Sequence, residues 1–213
     1  MAAIVGENML RLIMLLTVLS SCLPSAWAAD PWCGPQPELV LRFTWLPNCG
    51  GESQVGSVQV KDIKTGKVIQ VLENVENYRA DSESLYSRDF NHDGCGDLAV
   101  TSAIAAIGNE TSTVFLYDRA RRRFVFNQAL SDIGGIDIDP RNPNCVTGSW
   151  KGGAENMYAA THCWNKGKLV LQSEYSLAAL VDEEGNLACY EKIDTTYVHG
   201  RKKVRKRCTK TID

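Results

Sequence analysis

The chain has 213 residues, 44% of them hydrophobic, and a formal net charge of −2. This is enough for one domain with its own core, and the near-neutral balance leaves no bulk field pointing to nucleic acid or to a membrane.

The first feature in chain order is a targeting segment. Residues 9–28, MLRLIMLLTVLSSCLPSAWA, combine a basic Arg11, an apolar run from Leu12 to Leu19 and a small-residue end at Ala28. That layout predicts a secretory signal peptide over 1–28, and the run is too short to span a bilayer. Leu19–Cys22, LSSC, also fits a lipobox, in which case Cys22 would carry a lipid and begin the mature chain. Either route exports the protein to the periplasm or beyond, or places it on the outer membrane as a lipoprotein. A single β domain is expected over 29–213.

Export leaves seven of the eight cysteines, and an oxidising compartment should pair an even subset. Spacing predicts three local bridges, Cys33–Cys49, Cys145–Cys163 and Cys189–Cys208, with Cys95 unpaired.

The rest reads as strands. Residues 38–45, ELVLRFTW, form a β-branched and aromatic run bounded by Pro37 and Pro47. A hairpin follows around Lys64-Thr65-Gly66, where glycine supplies a positive φ. The apolar stretch 98–108 could be helical, but its place directly after a loop favours a buried strand. Further hairpins are expected about 118–122, about Gly152-Gly153-Ala154, about 165–168 and near His199-Gly200. The fold class is therefore mainly β, one domain of antiparallel sheets, sandwich or propeller-like, with one calcium loop between strands.

That loop is RDFNHDGCGDLAV, residues 88–100. Counting from Asp89, Asn91 and Asp93 occupy positions three and five, Gly94 six, Cys95 seven and Asp97 nine. A hard cation such as Ca2+ needs several oxygens from a tightly curled chain. Alternate residues can point inward, glycine at six permits the sharp turn, and position seven offers its backbone carbonyl. The expected ligands are Asp89, Asn91, Asp93, Asp97 and the carbonyl of Cys95. Position twelve is Val100 rather than glutamate, so the loop runs into a strand and not into an EF-hand helix.

DFNHDGCGDLAV resembles the calcium loop of FG-GAP repeats, here present once. Roughly residues 55–175, including TGKVIQVLENV, the calcium loop and NCVTGSWKGGAENMYAATHCWNKGKLVLQSE, resemble a family of exported bacterial proteins. That family includes periplasmic immunity proteins of bacterium-killing type IV secretion systems, related to periplasmic lysozyme inhibitors. The resemblance implies a calcium-binding protein that captures and inhibits a peptidoglycan-cleaving toxin or lysozyme, without being an enzyme.

Other chemistry is sparse. His92, His162 and His199 have no second histidine at metal-ligand spacing, and no nucleophile motif is present. Asp132, Asp137 and Asp139 read as a solvated loop; paired acids of a glycan hydrolase, or a second cation site, are the alternative. The basic run 201–208, RKKVRKRC, reads either as a charge-protected edge strand or as a contact for an acidic toxin or anionic wall polymer. The partner surface is expected at the hairpin tip, on Ser149, Trp150, Lys151 and Tyr158, with Trp150 and Lys151 foremost.

Overall fold

Thirteen strands in three antiparallel sheets make up almost all of the computed structural model, which describes residues 30–34, 37–48, 54–153, 155–198 and 200–211. The signal segment with Cys22 and Ala28, and also Cys49, Ala154 and His199, lie outside the described residues.

The first sheet has the order β1-β2-β3: β1 (Leu41–Pro47), β2 (Val55–Asp62) and β3 (Val68–Glu76). The second contains β4 (Leu85–Arg88), β5 (Asp97–Ile104), β6 (Glu110–Asp118) and β7 (Arg123–Phe126), in chain order. The third begins with β8 (Asp137–Ile138), β9 (Cys145–Lys151) and β10 (Met157–Asn165). It continues through β11 (Lys168–Val181), β12 (Leu187–Val198) and β13 (Arg201–Thr209), each beside its predecessor. A single helical turn, α1 (Gln128–Ser131), capped by the Asn127 side chain, links the second sheet to the third.

The second sheet lies between the other two. Successive side chains of a strand point to opposite faces, and β5 is buried on both. Leu98 and Val100 join Trp32, Trp45, Val58, Val60 and Phe124 in one core, while Ala99 joins Phe90, Val114, Leu130 and Val146 in the other. This is why the sequence after the loop is a continuous apolar run without alternation, and why it is a strand. Burying each such Leu, Val or Phe contributes about 1.5–3 kcal/mol. The Gln70 side chain ties β3 to the edge of β7: it donates to the Phe124 carbonyl and accepts from the Phe124 N–H, both at 2.8 Å.

Two of the expected disulfides form as predicted, Cys145–Cys163 and Cys189–Cys208. The third does not: Cys33 bonds to Cys95, 62 residues away, instead of Cys49. The cause is packing. Trp32 is 2% exposed, wedged against Phe43, Tyr117 and Phe124, and its insertion sets Cys33 directly over the loop that carries Cys95. Nearness in sequence was a poor guide, because closing a loop costs only slightly more as the loop lengthens.

Candidate functional site

The loop between β4 and β5 is held from both cores. Phe90, its second residue, is fully buried in one core and Cys95 in the other. Two indoles clamp its backbone: Trp164 Nε1 donates to the Phe90 carbonyl at 2.7 Å, and Trp32 Nε1 to the Gly96 carbonyl at 2.6 Å. The two glycines have different duties. Gly94 takes φ +84°, which L side chains rarely adopt, whereas at Gly96 a Cβ would sit 2.5 Å from Ser87 Oγ and 3.1 Å from the Trp32 ring.

Within the loop the acidic side chains curl the chain around themselves. Asp89 accepts from the backbone N–H groups of Asp93 (3.1 Å) and Gly94 (2.9 Å). Asn91 Oδ1 accepts from Asp93 N–H at 3.2 Å, and Asp93 Oδ1 from Cys95 N–H at 2.9 Å. Asp97 is different. It is fully buried, and its two oxygens accept from the backbone N–H groups of Phe90 (2.8 Å) and Tyr117 (2.9 Å). Burial pushes its pKa up to about 7; the two N–H donors pull it down, and the charges of Asp93 and Asp89 raise it further. Asp97 is thus the bolt joining the loop to β6, and among the described residues no three His, Cys, Asp or Glu side chains gather as a metal cluster. The hard oxygens of Asp89, Asn91 and Asp93, with the Cys95 carbonyl, do suit a calcium ion by donor chemistry.

The second expected site is the β9–β10 hairpin. Its two strands run in register from Cys145↔Cys163 to Lys151↔Met157, so the turn falls where predicted. The disulfide closes one end. At the other, Asn109 grips Lys151 with both groups of its amide, Nδ2 donating to the Lys151 carbonyl (2.7 Å) and Oδ1 accepting its N–H (2.8 Å). Trp150 and Tyr158 are directly paired across the strands and each is 41% exposed. Alternation puts them on one face and Ser149 and Lys151 on the other. The expected foremost pair, Trp150 with Lys151, is therefore split between faces.

Trp150 and Tyr158 border a cavity of about 390 Å³, with Asp132 and His162 also in its lining. The Trp150 ring lies on Gly134, where a Cβ would come within 2.7 Å of it. Behind the cavity Glu174 accepts from Tyr158 (2.8 Å) and Tyr197 (2.6 Å), and these two hydroxyls hold its pKa below the usual range. Sequence reasoning missed Glu174 and Tyr197; the only sign was strand parity, which needs the register to be read.

Among the described residues the buried His162 Nδ1 has no hydrogen-bond partner, and burial lowers the His162 pKa although Glu174 opposes the shift. The folded value therefore lies below the unfolded one, near 6.5. Between the two values the unfolded chain binds a proton that the folded chain does not, so stability is lost as pH falls below 6.5. His162→Gln is expected to remove that part of the slope, read as the wild-type minus variant difference in urea midpoints from pH 7.5 down to 5. An unchanged difference across that range would contradict the assignment.

The three acids of the alternative reading have different surroundings. Asp132 borders the Trp150 cavity and accepts from Gln128 Nε2. Asp139 is 5% exposed and accepts from its own turn, from the backbone N–H (2.9 Å) and Nε (3.4 Å) of Arg141. Asp137 is exposed in β8.

No protein-family model matches the chain, and no curated protein matches it either. Among solved structures it is similar to that of a Xanthomonas type IV secretion system related protein, at 21% identity and a TM-score of 0.53. The match covers 76% of this chain and 85% of the other. The two share a fold.

Proposed function

We propose that this chain is an exported binding protein of the immunity or inhibitor type. It captures a peptidoglycan-cleaving toxin or lysozyme by surface contact and performs no catalysis itself. The observation that carries this reading is the exposed Trp150–Tyr158 pair on a hairpin fixed at both ends, by the Cys145–Cys163 bridge and by Asn109. A binder gains from an anchor that is already ordered, because fixing a mobile loop on contact lowers affinity. Aromatic residues at the centre of a contact commonly dominate its energy. Two further observations support the reading: three disulfides suit an oxidising compartment, and the fold is shared with a secretion-system related protein. The calcium ion is held by Asp89, Asn91, Asp93 and the Cys95 carbonyl, with Asp97 bracing the loop. Its part is to fix the loop between the two cores.

The test is inhibition of peptidoglycan lysis by lysozyme, or by a peptidoglycan-cleaving toxin. Trp150→Ala should weaken capture by about 2 kcal/mol, roughly thirtyfold, with little change in melting temperature. Lys151→Glu, on the opposite face, should weaken it less. A fall in stability with unchanged inhibition per folded molecule would make the tip scaffold. Clearing of a peptidoglycan zymogram by the protein alone would make it a hydrolase.

A further inference from the structure

We propose that β13, the outer edge of the six-stranded sheet, docks this protein on an anionic lipid bilayer. Residues 201–210 hold seven basic side chains and no acid, while the whole chain has a net charge of −2, so the remainder carries an excess of nine negative charges. The charge is unevenly spread, and this edge, with seven basic side chains and no acid, is suited to approach a negative surface.

The structure keeps these charges available. Every residue from Arg201 to Cys208 is exposed. Among the described residues only two of the seven reach a carboxylate: Arg207 pairs with Asp194 at 2.7 Å and Lys206 with Glu191 at 3.7 Å. The register with β12 puts Arg201, Lys203 and Arg205 on one face and Lys202 and Lys206 on the other, so charge surrounds the free edge. The Cys189–Cys208 bridge fixes β13 to β12, and the row of charges is ordered before anything binds.

Val198, opposite Arg201 at the ribbon tip, is 56% exposed, and Val204, within the basic run, is 47% exposed. Apolar side chains set among long cationic ones suit a headgroup layer, where the stems lie along apolar material and the charges remain in water. Pairing with a second copy along this edge would bring like charges together. The cavities bordered by Trp32 and by Trp150 are lined by other elements, and β13 contributes to neither.

Sedimentation of the unacylated chain with vesicles tests this. At low salt the protein should pellet with phosphatidylcholine vesicles containing about a third phosphatidylglycerol, and not with phosphatidylcholine alone. Salt at several tenths molar should release it, as screening shortens the reach of surface charges. Each basic side chain near such a surface accounts for about fivefold in affinity. Lys203→Gln with Arg205→Gln should then weaken binding by about 25-fold, and the corresponding double change to Glu by a hundredfold or more. The Gln pair also covers failure of the Glu pair to fold beside Asp194. No pelleting at low salt, or pelleting that both variants retain, overturns the proposal. Release of the wild type from vesicles by soluble polyglutamate at matched charge would replace the bilayer with an acidic polypeptide as the ligand.

Discussion

Replacing Cys33 and Cys95 together by alanine is expected to destabilise the protein by about 4 kcal/mol. The bridge closes a loop of 62 residues, and constraint of the unfolded chain grows with the logarithm of that length. The same reasoning gives about 3 kcal/mol for Cys145–Cys163, which spans only 18. The loss at Cys33–Cys95 should exceed the pure chain term in its consequences, because this bridge joins the N-terminal segment to the loop. Trp32 donates to Gly96 from that segment, and Asp30 accepts from the Tyr117 hydroxyl at 2.8 Å; burial, and then this bond, push the Tyr117 pKa up to about 12. Urea unfolding of the double variant against the oxidised wild type measures the effect. A loss below about 1 kcal/mol, or a Cys33–Cys49 peptide in a non-reducing digest, would show that the bridge is not the one described.

This bridge marks the limit of what could be read from the sequence. Strands and hairpins were legible because alternation and glycine turns are local: the β2–β3 and β9–β10 turns stand where Gly66 and Gly152 put them. Cys145–Cys163 was legible for the same reason, as facing positions of one hairpin, and Cys189–Cys208 as close positions of another, where Cys208 pairs in register with Glu191. Cys33–Cys95 depends on where Trp32 packs, and nothing local states that. The short strand β4 and helix α1 went unseen because four residues carry too little periodicity to register. In the loop, the parity of Asp89, Asn91 and Asp93 was visible, but the turning of Asp97 toward Phe90 and Tyr117 was not. That depends on β6 lying beside β5, a contact across 20 residues. On the partner hairpin, Trp150 and Lys151 are neighbours in sequence, yet strand geometry separates them.

Asp97→Ala is expected to cost about 3 kcal/mol even without calcium, since it leaves two buried backbone N–H groups, those of Phe90 and Tyr117, with no acceptor. Asp93→Ala removes the acceptor of the Cys95 N–H and of the exposed Asn91 amide, so without calcium it should cost much less. The two variants separate the brace from the ligand. Calcium at a hundred times its dissociation constant should stabilise the wild type by about 2.7 kcal/mol through linkage. Asp93→Ala should lose that gain while keeping most of its calcium-free stability. Asp97→Ala should begin low, and any calcium gain it keeps measures how far the ion relies on Asp89, Asn91, Asp93 and the Cys95 carbonyl. Melting temperatures in chelator and in millimolar calcium, for all three proteins, give the comparison. If the wild-type melting temperature does not move with calcium, the loop is a structural turn held by Asp97 and the two tryptophans alone.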